Sequence, residues 1–328
     1  MARNSGRRLY IQEVVTRDGF QSEGTFIPTS QKIAIIDRLS QCGLSKIEVT
    51  SFTSPKAIPA LADASLTMRG IKRNADVVYT ALIPNVRGAE RALECGVGEM
   101  NLVMSISEAH NISNLRMSRE DSFRQLSEIV GISTSHNIPV NISFSTAFGC
   151  PMEGDIDDAI TFRWIERFAG LSIRGITLCD TTGMANPKQV ARISEHVLRR
   201  FPNLEITMHF HNTRGMALAN AAAAAEVGIN RFDASLGGLG GCPYAPGATG
   251  NVCTEDLVHM FSEMGWETGV DLSLLLEAAR QLPGLVGHDV PSQVLKAGPS
   301  SRRYPIPASV EKIRDSRVES EDPIKRGP

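Results

Sequence analysis

An eightfold alternation of strand-like and helix-like segments is the feature that most constrains how this chain can fold. Each round joins a short β-branched run to a longer segment with helical periodicity. A strand, a helix and another strand in this order require parallel pairing, and eight such units close into a ring. The predicted strands are residues 9–16, 45–52, 76–83, 99–106, 139–146, 175–182, 205–212 and 230–238. The sequence therefore predicts an α/β fold, the TIM (β/α)8 barrel.

Helical segments lie between these strands and continue after the last one. Six amphipathic segments are predicted as barrel helices, at residues 30–43, 85–98, 118–137, 156–171, 186–201 and 215–228. From about residue 253 further helices follow, and we expect them to cap one mouth of the barrel. The barrel domain is thus predicted over residues 1–298, with a proline-bearing tail at 299–328 that is peripheral or mobile. A doubly wound sheet is the alternative, but the glycine-rich segment 237–251 lacks the GxGxxG spacing of its nucleotide site.

Composition excludes several classes of function. The chain has 328 residues, of which 42% are hydrophobic, which suffices for one large core. A net charge of −2 provides no broad positive field, so we expect no nucleic-acid partner. No apolar run approaches the roughly 18 residues that a membrane helix needs, so we expect a soluble, cytoplasmic protein without a membrane partner. The six cysteines form no CxxC pair and are predicted to be reduced thiols.

A possible metal site is indicated by the seventh strand and its neighbours in the ring. His209 and His211 are two residues apart in HFHN, so a strand points both imidazoles to one side. Asp18 follows the first strand, and Asn251 ends the loop after the eighth, so a closed barrel brings both close to the seventh strand. Two nitrogens, a carboxylate and an amide oxygen suit Mg²⁺ or Mn²⁺. Core histidines and helix caps are the structural alternatives.

Other polar residues are predicted at strand ends or in the last loop. Arg17 precedes Asp18 and can donate to a carbonyl oxygen that gains charge, or form an ordinary ion pair. Glu48 ends an apolar strand, where an unpaired charge is costly, so it pairs with Arg17 or orders a ligand. Asp180 is a candidate to support a histidine. Cys242 lies in the glycine-rich loop, as a proton-active residue of a lid or as a passive loop residue.

Several longer segments resemble a known family over about residues 10 to 280. They are TRDGFQSE (16–23), IEVTSFTSPKAIP (47–59), FGCPMEG (148–154), LCDTTG (178–183), HFHNTRGMALAN (209–220) and GGLGGCPYAPGATGN (237–251). In these segments the chain resembles the 3-hydroxy-3-methylglutaryl-CoA lyase family of metal-dependent barrel lyases. The last segment, with its single cysteine, is the one most specific to that family.

The resemblance implies roles for the candidate residues. It implies that a divalent metal is bound by Asp18, His209, His211 and Asn251. It also implies that Arg17 stabilises an enolate and that Cys242 is a catalytic acid or base. Supporting or substrate-facing positions are expected for Gln21, Glu48, Ser51 and Asp180.

The implied reaction is metal-assisted retro-Claisen cleavage of an acyl-CoA thioester to acetyl-CoA and acetoacetate. Phe20, Gly24, Asn212 and Arg214 depart from the family's usual residues, which leaves the acyl group open and makes citramalyl-CoA an alternative. A condensing synthase and a pyruvate-releasing aldolase are rival enzymes of the same group. A non-catalytic acyl-CoA or metal binder is the rival outside enzymes. We expect a homo-oligomer.

Overall fold

The computed structural model is a closed barrel of eight parallel strands in chain order. It describes residues 8–241 and 250–311. The strands are β1 Tyr10–Glu13, β2 Lys46–Ser51, β3 Val78–Leu82, β4 Glu99–Ser105, β5 Val140–Ser145, β6 Gly175–Asp180, β7 Glu205–Phe210 and β8 Arg231–Ala234. β1 pairs with both β2 and β8, which closes the ring. The predicted TIM barrel is confirmed.

Helices surround the barrel, and most of them follow the predicted segments. Their bounds are α1 Thr29–Leu39, α2 Ala64–Gly70, α3 Val86–Glu94, α4 Glu108–Leu115, α5 Arg119–Ser135, α6 Asp158–Ala169, α7 Pro187–Arg200, α8 Ala217–Glu226, α9 Thr254–Glu263, α10 Leu272–Ala279, α11 Leu282–Val286 and α12 Gln293–Ala297. The sequence patterns did not predict α2 and α4, which are only seven and eight residues long. No helix within the described residues is long and apolar enough to cross a bilayer.

The helices α9 and α10, which follow the last barrel strand, do not lie over a barrel mouth as predicted. α9 contacts β1, β8 and α8, while α10 contacts α1 and α9. Both helices therefore belong to the outer helical ring and do not cap a mouth. α9 supplies the helix that a closed (β/α)8 ring needs after β8.

Two compact units are distinguished, Met1–Lys296 and Ala297–Pro328. The first contains the barrel. In the second, the Tyr304 hydroxyl donates a hydrogen bond to the Ala297 carbonyl oxygen at 3.3 Å. The predicted peripheral or mobile tail, 299–328, lies in this unit, and its residues 312–328 lie outside the described residues.

The interior of the barrel is polar, whereas the layer between strands and helices is apolar. Buried polar side chains that point inward include Gln12, Glu48, Asn101, Asn141, Thr177 and Thr207. They bond to one another, as Asn141 does through Nδ2 to Thr177 Oγ1 at 2.9 Å. Because buried polar groups need such partners, this network sets the orientation of the side chains above it, at the carboxyl ends of the strands.

Candidate metal centre

A π-helical turn directly after β1 positions Arg17 and Asp18. The Val14 carbonyl oxygen accepts the amide N–H of Arg17, Asp18 and Gly19, at 3.1, 2.7 and 3.3 Å. The turn, Val15–Gly19, ends the strand earlier than predicted. Arg17 and Asp18 both line a cavity at the C-terminal mouth of the barrel, the end at which the carboxyl termini of the strands meet.

His209 and His211 lie together at the end of β7, as the alternation of side chains along a strand requires. Both are buried, and their Nε2 atoms are 3.2 Å apart. The Oδ2 atom of Asp18 lies 4.0 Å from Nε2 of His209 and 3.9 Å from Nε2 of His211. The structure thus brings one carboxylate and two imidazoles to a single point.

Asn251 reaches the same point from the segment after β8. It forms a β-bridge with His211, and its Nδ2 atom donates to Asp18 Oδ2 at 2.7 Å and to the Leu239 carbonyl oxygen at 3.0 Å. The amide nitrogen, not the oxygen, therefore faces the carboxylate in this arrangement. Gly240 makes the approach possible, because a Cβ there would lie 2.4 Å from Asn251 Nδ2 and its φ of +117° disfavours other residues. We call Asp18, His209, His211 and Asn251 the metal centre.

The separations between these donors fit one divalent ion. Donors that each lie about 2.1 Å from one Mg²⁺ ion are at most about 4.2 Å apart. The three distances among Asp18, His209 and His211 all meet that limit. Within residues 8–241 and 250–311, these three residues form the one group of at least three His, Cys, Asp or Glu side chains close enough to share an ion. Carboxylate oxygen and imidazole nitrogen are suitable ligands for such an ion.

The charges around Asp18 favour its ionised form. Burial alone would raise the pKa of Asp18, but Arg17 and then the two histidines outweigh burial and lower it to about 2. Burial likewise opposes the charge of Arg17, while Glu48 and Asp18 raise its pKa above the ordinary value. Asp18 is therefore an anion and Arg17 a cation throughout the neutral pH range.

Glu48 pairs with Arg17, so the structure resolves the two alternatives that the sequence left for it. Its Oε2 accepts from Nε of Arg17, and its Oε1 accepts from Nδ2 of Asn101 at 2.7 Å. The Oδ1 atom of Asn101 in turn accepts from Ser143 Oγ at 2.8 Å. The guanidinium is thus fixed through a chain of buried side chains that reaches into the barrel interior.

Asp233, which the sequence analysis missed, supports His209. Its Oδ2 lies 3.2 Å from Nδ1 of His209, and the two residues are direct partners in the β7–β8 pairing. Burial would lower the pKa of His209, but the hydrogen bond to Asp233 raises it. A carboxylate on the outer nitrogen of a metal-binding imidazole fixes the ring and its tautomer.

Asp180 accepts the amide N–H of His211 through its backbone carbonyl oxygen at 3.3 Å, and the predicted support of a histidine by its side chain stays a prediction. Its Oδ1 accepts the amide N–H of Met184 at 2.8 Å and of Ala185 at 3.2 Å. The other carboxylate oxygen, Oδ2, is buried without a hydrogen-bond partner among the described residues. Asp180 therefore shapes the turn after β6 through Oδ1 alone.

Two further predicted residues, Gln21 and Ser51, lie at or near the mouth cavity. Gln21 lines the mouth cavity with Arg17. Ser51 is buried, and its hydroxyl is 2.7 Å from Oγ1 of Thr53, a cavity-lining residue. Cys242 lies outside the described residues. Its part in the chemistry stays a prediction.

The mouth cavity has room for a substrate beside the metal centre. It has a volume of about 630 Å³ and extends from the metal centre past β3 and β4 toward α4 and α5. Its lining mixes charged residues of the metal centre with small and apolar side chains such as Ala57, Ile58, Val103 and Leu115. Cavities of this size and composition are typical of small-molecule sites.

The fold and the site together define a class of protein, a parallel (β/α)8 barrel with a candidate divalent-metal centre at the carboxyl ends of its strands. The HMGL-like family matches residues 8–282, and the chain belongs to this family.

Individual relatives carry related names. A hydroxymethylglutaryl-CoA lyase of Bacillus subtilis is 45% identical over 90% of this chain and 99% of its own length. An (R)-citramalyl-CoA lyase of Chloroflexus aurantiacus is 37% identical over 88% of this chain and 94% of its own. The solved structure of an HMG-CoA lyase from Acinetobacter baumannii, in complex with coenzyme A and 3-methylmalate, is 51% identical, with a TM-score of 0.88 over 91% of this chain and 98% of that chain.

Proposed function

We propose that this protein is a carbon–carbon lyase that cleaves 3-hydroxy-3-methylglutaryl-CoA to acetyl-CoA and acetoacetate. The observation that carries the proposal is the cluster of Asp18, His209 and His211 beside the Arg17 guanidinium in one cavity of an HMGL-like chain. A metal donor set and a fixed cation at one site suit a reaction that forms a carbonyl at one carbon and an enolate at another.

The residues present fit Mg²⁺ or Mn²⁺, and we propose that Asp18, His209, His211 and Asn251 hold it. Such an ion, when bound, polarises hydroxyl and carbonyl oxygens of the substrate and lowers the pKa of the hydroxyl. Asn251 would contribute Oδ1, which requires its amide to turn from the orientation that bonds Asp18 through Nδ2. Asp18 is ready as an anionic donor because its pKa lies at about 2.

Arg17 is proposed to stabilise the enolate. When a base takes the proton of the tertiary hydroxyl and the hydroxyl carbon becomes a ketone carbonyl, the bond between that carbon and the α-carbon of the thioester breaks. The electron pair of that bond passes to the α-carbon and the thioester oxygen, where a guanidinium offsets the charge. The hydrogen bonds of Arg17 to Glu48 and Asp18 hold it in place before the charge develops.

Cys242 is proposed to deliver the proton that completes acetyl-CoA. Its thiol would protonate the α-carbon, and this proposal is supported by Gly241, the residue before it, which lines the mouth cavity. Replacing it by serine should leave Mn²⁺ affinity unchanged and lower kcat by about 10²-fold or more. Equal turnover in Cys242→Ser would remove the thiol from the mechanism.

A second candidate substrate is citramalyl-CoA, for two reasons. One relative carries the name of that lyase, and the cavity has free space at Gly24, one of the residues that depart from the family pattern. Gly24 lines the cavity without a side chain, and a Cβ there would meet nothing within 4 Å. Phe20 is buried and is not among the cavity-lining residues, so it affects the acyl group at most indirectly.

The decisive experiment is a panel of 3-hydroxy CoA thioesters that carry a free carboxylate, including 3-hydroxy-3-methylglutaryl-CoA and citramalyl-CoA, with product analysis in Mg²⁺ and in Mn²⁺. We expect acetyl-CoA and acetoacetate from 3-hydroxy-3-methylglutaryl-CoA, and no products from Arg17→Gln. Preference for citramalyl-CoA would shift the proposal to the second substrate. Absence of cleavage across the panel, with metal bound, would favour a binding protein.

The nucleotide part of coenzyme A is proposed to lie toward Arg87. A shallower groove shares Asn85 and Gln125 with the mouth cavity and is lined by Arg87 and Arg124. Arg124 is paired with Asp121, whereas Arg87 has no ion-pair partner among the described residues. A free guanidinium there suits a phosphate of coenzyme A.

Arg87→Ala should raise KM severalfold for the CoA thioester and leave kcat unchanged. The matching pantetheine thioester, which lacks the nucleotide, should show no change in KM. Arg163→Ala, an exposed arginine of α6 away from the groove, is the matched control. An unchanged KM in Arg87→Ala would place the nucleotide elsewhere.

The subunit number and the cellular location remain predictions. We propose a homo-oligomer in the cytoplasm. Analytical ultracentrifugation of the purified protein tests the first, and fractionation of the source cells tests the second. A monomer, or recovery outside the cytoplasmic fraction, would contradict them.

A further inference from the structure

Glu13 is a buried carboxylate that the proposed chemistry does not use. It ends β1, is 0% exposed and does not line the mouth cavity. No cation pairs with it among the described residues. A buried acid in the last position of a barrel strand therefore has another task, since its burial is costly.

Its hydrogen bonds join three segments that are far apart in sequence. Oε1 accepts the amide N–H of Val15 at 2.9 Å and of Leu236 at 2.9 Å. Oε2 accepts from the hydroxyl of Thr254 at 2.8 Å. One carboxylate thus fastens the start of the π-helical turn, the end of the β8 segment and the first residue of α9.

Each partner of Glu13 lies three residues from a residue that belongs to the metal centre or bonds to it. Val15 precedes Asp18 by three residues, Leu236 precedes Leu239 by three, and Thr254 follows Asn251 by three. The second set of residues is itself connected, because Asn251 Nδ2 bonds both Asp18 Oδ2 at 2.7 Å and the Leu239 carbonyl oxygen at 3.0 Å. The same three chain segments are therefore joined twice, once by the hydrogen bonds of Glu13 and once by those of Asn251. In each segment the two points of attachment are three residues apart.

We propose that Glu13 is a positioning residue for the metal centre, whose carboxylate holds the segments of Asp18, Leu239 and Asn251 in the register that brings two metal donors together. This inference rests on the proposed metal centre but not on the identity of the acyl group. Two of the four donors, Asp18 and Asn251, come from these segments, whereas His209 lies in β7 and His211 directly follows it.

The test measures Mn²⁺ affinity without substrate, by electron paramagnetic resonance of the free ion, alongside thermal unfolding. Glu13→Ala should weaken Mn²⁺ binding about 10- to 100-fold, the range for residues that support metal ligands. Glu13→Gln should remain within about threefold of the wild type, because its amide oxygen accepts both N–H groups and its NH₂ donates to Thr254. Recovery by glutamine would show that the hydrogen bonds, not a charge, are required.

Asp256→Ala is the matched control for lost stability. Asp256 is also buried and accepts the amide N–H of Val294 at 2.8 Å and of Gln293 at 3.0 Å, so it anchors a segment that provides no metal donor. We expect this variant to melt at a lower temperature and to bind Mn²⁺ as the wild type does. If Glu13→Ala does not fold, Thr254→Val removes one of the three bonds and should weaken binding about threefold.

Three results would overturn the proposal. They are unchanged Mn²⁺ affinity in a folded Glu13→Ala or in Thr254→Val, an equal loss in Asp256→Ala, and failure of Glu13→Gln to recover affinity. A wild-type protein that binds no Mn²⁺ would overturn the metal centre and this role with it. A protein that binds Mn²⁺ but cleaves no tested thioester would contradict the proposed substrate alone.

Discussion

Asp18 is a partly buried and Glu13 a fully buried carboxyl group at the end of β1, five residues apart, and their ionisation differs. Asp18 has a pKa of about 2, whereas that of Glu13 is raised to about 8. Burial raises the pKa of both. Arg17, His209 and His211 outweigh burial at Asp18, while Glu13 has only two amides and a hydroxyl as partners and feels the repulsion of Glu255.

The difference between these two acids comes from nearby charge, because Asp18 faces one guanidinium and two imidazoles, whereas Glu13 pairs with no cation among the described residues. Neutral donors satisfy the acceptors of a carboxylate but offset only part of the cost of burying its charge. The mouth therefore keeps an anion at the proposed metal centre. Directly behind it, Glu13 is held as a hydrogen-bonding group.

The largest expected effect comes from removing the charge at the mouth. Asp18→Asn should lower kcat/KM by about 10³-fold in excess Mn²⁺, because an ion that is lost or displaced withdraws several kcal/mol of charge stabilisation. Glu13→Gln, the same change of acid to amide, should stay near the wild type. Steady-state kinetics on both variants, with folding checked by circular dichroism, measures the contrast. Similar losses in the two variants would break the comparison, since they would mean that both carboxylates act through their charge or neither does.

Most strands and helices of the barrel could be predicted from the sequence, because each depends on a hydrophobic pattern within one segment of the chain. The eight strands and six of the helices follow from periodicity within single segments. The predicted ends of two strands were wrong, because the apolar pattern continues beyond the residue at which the backbone turns. The first strand was predicted to run to residue 16 but ends at Glu13, because the Val14 carbonyl oxygen gathers three amide N–H groups into a turn. The eighth ends at Ala234 instead of residue 238, because a 3-10 turn over Leu236–Gly238 follows it.

The site was accessible to a smaller extent, for a related reason. His209 and His211 could be paired from sequence because the two-residue period of a strand is a local property. The support of His209 by Asp233 depends on the register between β7 and β8, which no single segment contains. The bonds of Glu13 depend on three segments at once. Such contacts follow from the closed ring only after the register of each strand is known.

A smaller effect is expected from the residue that holds His209. Asp233→Asn should weaken Mn²⁺ binding about tenfold, because the outer nitrogen of the imidazole loses an anionic acceptor. Asp180→Asn is the matched control, since that carboxylate accepts from backbone amides and not from a histidine. Calorimetric titration with Mn²⁺ compares them. A larger loss in Asp180→Asn than in Asp233→Asn would reverse the two assignments.

The last prediction concerns the dependence of stability on pH in the metal-free protein. Glu13 and Glu255 have pKa values raised from 4.5 to about 8 and about 7, first of all by burial. The folded protein keeps these protons at pH values where the unfolded chain has released them, so stability from both groups is full below about pH 4.5. It falls as pH rises to about 7 for Glu255 and to about 8 for Glu13, by at most about 1.4 kcal/mol per pH unit for each group.

Asp18 affects stability in the opposite direction, because its pKa is lowered from 3.8 to about 2, and its contribution is lost only as pH falls through that range. Urea unfolding between pH 5 and pH 8 should therefore show a decline in the wild type that is shallower in Glu13→Gln and in Glu255→Gln. A slope that neither substitution changes would mean that these carboxyls release their protons near the ordinary pKa, and the contrast in ionisation between Glu13 and Asp18 would be lost.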